Sequence, residues 1–135
     1  MELFKAFGTD AALEEKGQWI DFGEGTQFKL AYAGTSNQRY FERLTALQEQ
    51  YAVQLKTKTL GTDVSKSEML KLFADLILLD WKGVKDKDGS DLEYSKDNVL
   101  YLMGALPHLY DALQEEATAI AHFKQQVDEE DAKNS

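Results

Sequence analysis

Apolar residues recur along this chain with two different periods, and each change of period marks a boundary between elements. Ile20 and Phe22 alternate with Asp21, a Gly23-Glu24-Gly25-Thr26 turn follows, and Phe28, Leu30 and Tyr32 alternate with Gln27, Lys29 and Ala31. A period of two on both sides of a glycine-containing turn predicts a β-hairpin near residues 18–33 with one buried face. Upstream, Phe4 and Phe7 are able to pack locally, and Thr9 or Asp10 to Lys16 reads as a short helix or irregular arm. Downstream the spacing lengthens to three and four. Tyr40, Phe41, Leu44, Leu47, Tyr51 and Leu55 form the stripe of an amphipathic helix of about five turns, with Thr35, Ser36 or Asn37 as its cap.

Residues 56–64 are polar and broken by Gly61, so they read as a connecting loop. Ser65 and Glu68 then form a capping box ahead of Met69, Leu70, Leu72, Phe73, Leu76, Ile77, Leu79 and Trp81. That expected helix is apolar over most of its circumference, which makes it either the central one or the bearer of a second apolar face for a partner. Asp88-Gly89 favours a turn, predicting a second small hairpin or tight turn near 82–94. Ser95 caps a short helix carrying Val99, Leu100, Leu102 and Met103, which Gly104 and Pro107 punctuate. Proline is tolerated in a first turn, so a new helix is expected from near Pro107, with Leu109, Tyr110, Leu113, Ala117, Ile120, Ala121 and Val127 facing inward. The polar, acidic residues 128–135 are expected to be a disordered tail. The fold class that results is mainly α with two small β-hairpins, a helix-dominated α+β arrangement. It should form a single compact domain over residues 1–127 with about four to five helices.

Charge narrows the range of partners. Fifteen Lys and Arg stand against 24 Asp and Glu, a formal net charge of −9, and the basic residues are not segregated. Such a surface repels a phosphate backbone, so no nucleic-acid partner is expected. The apolar run Leu76 to Leu79 is far too short to span a bilayer, and MELFKAFGTD lacks the basic region and apolar core of a signal peptide, so no membrane partner is expected either. With no cysteine in the chain, disulfides, thiolate metal sites and cysteine nucleophiles are excluded, which fits a reducing cytoplasm.

Candidate chemistry is sparse. Asp86 to Asp91 invites a calcium reading, but with Gly89 at the sixth position of an EF-hand loop, Val84 falls first and Ser95 twelfth, where acidic ligands are required. A solvated turn is the better account. His108 and His122 are fourteen residues apart, and the pair His108 and Asp111 falls short of the three or four ligands of a zinc site. Gly23 to Thr26 lacks the Lys-Ser or Lys-Thr of a phosphate loop and leads into a strand. No nucleophile elbow is present, so neither an enzyme nor a bound cofactor or metal is expected. Trp81 with Lys82, Lys85 and Lys87 could make an aromatic and basic patch; the alternative is a core tryptophan with lysines at a helix C-terminus. Trp19 poses the same choice, with core membership as the default.

The order of features from Trp19 to Phe123 resembles the tail assembly chaperones of long-tailed bacteriophages. The similarity lies in WIDFGEGTQFKLAYAGTSNQRYFERL, in LFADLILLDWKGVKDKDGSDLEYSKDNVLYLM and in ALPHLYDALQEEATAIAHF. The resemblance implies a non-enzymatic protein of the host bacterial cytoplasm that binds the tape measure protein, keeps it soluble, helps recruit tail tube subunits and is absent from the mature virion. It also implies self-association into oligomers. Two other readings are a structural head or tail component retained in the particle and an acidic adaptor or inhibitor of a host protein. A chaperone for a helical client needs accessible apolar surface, and Leu72, Leu76, Leu79 and Trp81 are the residues expected to contribute a client-binding or self-association face.

Overall fold

The structure, a computed structural model, describes residues 1–125. It contains seven α-helices and one three-stranded antiparallel sheet among those residues: α1 (Leu3–Phe7), α2 (Ala11–Lys16), β1 (Gln18–Asp21), β2 (Gln27–Leu30), α3 (Gln38–Gln50), α4 (Ala52–Thr57), α5 (Thr62–Leu72), β3 (Leu78–Lys82), α6 (Lys96–Ala105) and α7 (Pro107–Ala117). A π-helical turn, Phe73–Ile77, joins α5 to β3, and a 3-10 turn, Ile120–Phe123, follows α7. The fold is helix-dominated α+β, and the expected four to five helices are corrected to seven. Two reasons account for the excess. The stripe from Tyr40 to Leu55 is broken at Tyr51 into α3 and α4, and α1 and α2 are separate short helices. Val127 and the tail at 128–135 lie outside the described residues.

The main departure from the helical pattern falls between Leu72 and Lys82. A helix continued to Trp81 would point Leu72, Phe73, Leu76, Ile77, Leu78, Leu79 and Trp81 around most of its circumference, with no way to bury them all against one neighbour. Instead the backbone widens through the π turn and emerges as β3. There it pairs with the free edge of β2, in the register Phe28 with Trp81 and Leu30 with Leu78. The order β1-β2-β3 makes β2 the central strand, so every one of its backbone groups gains a ladder on one side or the other. Ile20, Phe28, Leu30, Leu78 and Trp81 form the inner face of the sheet. The outer face carries Trp19, whose ring holds the Lys82 ammonium 4.2 Å from its centroid.

Trp81 is a core residue. Its indole donates to the Leu92 carbonyl at 2.8 Å and stands edge-on to Phe28 and Tyr94. The segment beyond it is a turn rather than a second strand pair, closed by a single bridge between Lys85 and Asp91. Against the sheet pack Leu72, Phe73, Ile77, Val99, Leu102, Met103 and Leu113, all buried. Capping follows local chemistry. Asp10 accepts from the amides of Ala12 and Leu13, Asn37 from that of Tyr40, and Ser95 from that of Asn98. The expected capping box at Ser65 and Glu68 does not form. Helix α5 begins earlier, at Thr62, and Glu68 accepts from the Tyr51 hydroxyl across the α3–α5 seam.

Candidate docking grooves

The four residues expected to form a docking face do not share one. Trp81 is buried inside the core, and Leu72, buried as well, borders one of the grooves described below. Leu76 and Leu79 are half-buried against that core; Leu79 covers Gly17, where an added Cβ would lie 3.0 Å from its Cδ1. The π turn and β3 are what scatter them, because a strand sends successive side chains to opposite faces.

Accessible apolar surface lies one turn earlier, around Met69. Helix α5 is flanked by α3 on one side and by α6 and α7 on the other, and Met69 borders a concavity on each flank. The first, about 310 Å³, is lined by Tyr40 of α3, by Met69, Leu72 and Phe73, and by Gln114 and Glu115 of α7. Met69 also borders a smaller seam of about 110 Å³ between α3–α4 and α5, lined by Leu44, Leu47, Tyr51, Leu55 and Leu60. The second, about 560 Å³, lies between α5 and the α6–α7 corner, with Met69, Met103, Gly104, Pro107 and Tyr110 along it. Methionines are well suited to such walls, since their unbranched, polarisable side chains adapt to different apolar shapes.

Polar side chains rim these grooves, among them Glu115 beside the first and Lys66 and Asp111 beside the second. Burial, which disfavours a phenolate, raises the pKa of Tyr40 and of Tyr110, and the neighbouring Asp111 charge adds to the rise at Tyr110. Both therefore stay protonated donors at neutral pH. Tyr110 is braced by an edge-on contact with Phe73, ring centroids 5.0 Å apart. Asp75 of the π turn is held by Arg43 of α3 at 3.0 Å and by Lys96 of α6 at 3.3 Å, which fixes the two flanking helices to the segment between them. Helices α3 and α4 bury no residue completely; Phe41, Val53 and Leu55 are exposed on them, as is Val64 in the first turn of α5. The signal for the grooves was present in the sequence as Met69, Met103 and the Gly104 to Pro107 corner. Only the tertiary placement of α7 beside α5 turns those residues into concave surface.

Asp88 accepts from both the amide and the hydroxyl of Ser90, which lowers its carboxyl pKa, and Asp86 accepts from the Tyr101 hydroxyl. His108 is exposed, and His122 lies 2.5 Å from a Glu116 carboxylate oxygen. Among the described residues, no group of three or more His, Asp and Glu side chains converges on a point, and no helix is long and apolar enough to cross a membrane. Glu14 is buried, and its carboxylate accepts from the hydroxyls of Ser36 at 2.6 Å and Thr9 at 3.3 Å, which binds α2 to the loop before α3.

A family model described as YdaY prophage protein matches residues 35–134, well over half of the chain. The match opens at the loop that caps α3 and takes in the groove residues on α3, α5, α6 and α7. No curated protein and no solved structure matches the chain.

Proposed function

The chain belongs to the YdaY prophage protein family and is phage-derived, and from that premise we propose that it acts as a tail assembly chaperone, binding the phage tape measure protein and assisting tail tube assembly in the host cytoplasm without entering the finished particle. No bond is made or broken in this role. The observation that supports it most directly is the apolar groove between α3, α5 and α7, with the seam to Leu55 and Leu60 on the other side of Met69. A groove bounded by helices accepts the apolar face of another amphipathic helix, and a long helical client offers many such faces to many copies. The net charge of −9 keeps chaperone and complex dispersed while the client is held.

The test is co-expression with the tape measure protein of the same phage, with soluble client as the readout. The native chain should raise soluble client. Leu55→Glu combined with Met69→Glu should lower that gain about tenfold, a loss on the order of 1.4 kcal/mol in binding. Leu55 is half-exposed and Met69 is only partly buried, so the double variant should still fold. No gain from the native chain would end the proposal. Recovery of the protein from purified virions by mass spectrometry would favour a structural component instead.

A further inference from the structure

Helix α1 buries nothing. Leu3, Phe4 and Phe7 are 60%, 88% and 62% exposed, and no residue of the helix reaches the core. A five-residue helix is not stable in water by itself, so three large apolar side chains on one short arm call for a surface to fold against. Phe4 and Phe7, three residues apart, project from the same side of it.

A second feature lacks a reason within its own chain. Gly104 is the penultimate residue of α6, yet its φ is not in the left-handed region that a helix-ending glycine commonly adopts, and an added Cβ would meet nothing within 4 Å. Neither backbone conformation nor crowding requires a glycine there. The space left open belongs to the 560 Å³ groove between α5 and the α6–α7 corner, with Met69, Met103, Pro107 and Tyr110 around it. A gap in an apolar wall is what an incoming aromatic ring needs.

We infer that α1 of one copy of this chain docks in the α5/α6–α7 groove of a second copy, with Phe4 and Phe7 seated over Gly104. Charge supports the match: Glu2 and Lys5 flank the rings on the arm, and Lys66 and Asp111 flank the groove, so each sign can meet its opposite. Area supports a second copy rather than a passing peptide. The three arm residues expose on the order of 400 Å² of apolar surface. One arm in one groove is therefore a small contact. A twofold exchange makes each copy give both an arm and a groove, so that two small contacts act together in one closed dimer.

The experiment uses the isolated full-length chain without any client, so its outcome is independent of the tape measure reading. Light scattering after size exclusion should give a dimer at micromolar concentration. Phe4→Ser with Phe7→Ser should give a monomer with an unchanged circular dichroism spectrum, because neither ring supports the fold. Gly104→Trp should fill the gap from within and raise the dimer dissociation constant at least tenfold, again without unfolding. The chain has no cysteine of its own. An oxidised mixture of Phe7→Cys and Gly104→Cys chains should consequently yield a disulfide-linked species containing one of each. A native chain that is monomeric throughout overturns the proposal. So do linkage of Phe7→Cys only to itself, linkage within a chain carrying both substitutions, and a Phe4/Phe7 variant that stays dimeric.

Discussion

Asn37 shows how much of this fold depends on a single side chain. It is buried to 1% exposure, its carbonyl oxygen accepts from the Tyr40 amide, and its amide group donates to the backbone carbonyls of Glu14 at 3.0 Å and Tyr32 at 2.9 Å. One residue thus caps α3, holds α2 and fixes the exit of β2. Removing it leaves the Tyr32 carbonyl without its donor, and the Glu14 carbonyl with the Tyr32 amide alone, in addition to the lost cap. Asn37→Ala should therefore cost about 3 kcal/mol in urea unfolding, from roughly 1 kcal/mol for the cap and the remainder for the carbonyls. Asn37→Asp separates the two contributions. The carboxylate keeps the cap but turns an acceptor toward two carbonyl oxygens, so it should destabilise at least as much as alanine. If the aspartate variant were as stable as the native chain, the donor role would be refuted and only the cap would count. The sequence marked Thr35, Ser36 and Asn37 alike as caps, and only the partners brought in from α2 and β2 distinguish them.

At the scale of elements, the informative stretch is Phe73 to Gly83. Its residues carry a helical stripe as far as Trp81, which is why periodicity extends α5 through it. What overrides that stripe is non-local: β2 has a second edge to satisfy, and the Ala31 amide finds the Ile77 carbonyl at 2.9 Å where the π turn ends. The alternation around Gly23 to Thr26, by contrast, falls where β1 and β2 lie, since a hairpin depends on residues close in sequence. The same difference between local and distant causes governs two glycines. Gly83, at φ +69°, ends β3 beneath the hairpin turn, and a Cβ there would stand 2.2 Å from the Gly25 carbonyl oxygen. Gly89, at φ +86° in the exposed turn after β3, has open space around it. Gly89→Ala should cost only the left-handed backbone, about 1 kcal/mol. Gly83→Ala adds a collision with backbone that has to move, and should cost at least about 3 kcal/mol in total. Thermal unfolding of the two variants side by side measures the difference; equal shifts would show that the β1–β2 turn yields freely.

Across the whole molecule, order is distributed unevenly, and the uneven distribution follows from where the core lies. Leu30, Ala31, Ile77, Leu78, Val99 and Leu113 are sealed completely, whereas every residue from Ala52 to Thr59 and from Gly61 to Ser67 is exposed. The end of the α3–α4 and α5 hairpin is therefore held by one apolar seam and little else, and local opening there costs less than opening the sheet. Amide hydrogens between residues 52 and 67 should exchange at least about 100-fold faster than those of β2 and β3, a difference on the order of 2.7 kcal/mol in opening free energy. Uniform protection would mean that the hairpin opens only with the core. The same measurement locates the client. A helix laid along the seam and into the groove beside Met69 has to order this loose end, so bound tape measure protein should slow exchange most between residues 40 and 69. Slowing confined to 18–30 and 78–82 would instead put the client on the outer face of the sheet, beside Trp19 and Lys82, and the groove would lose its assigned occupant.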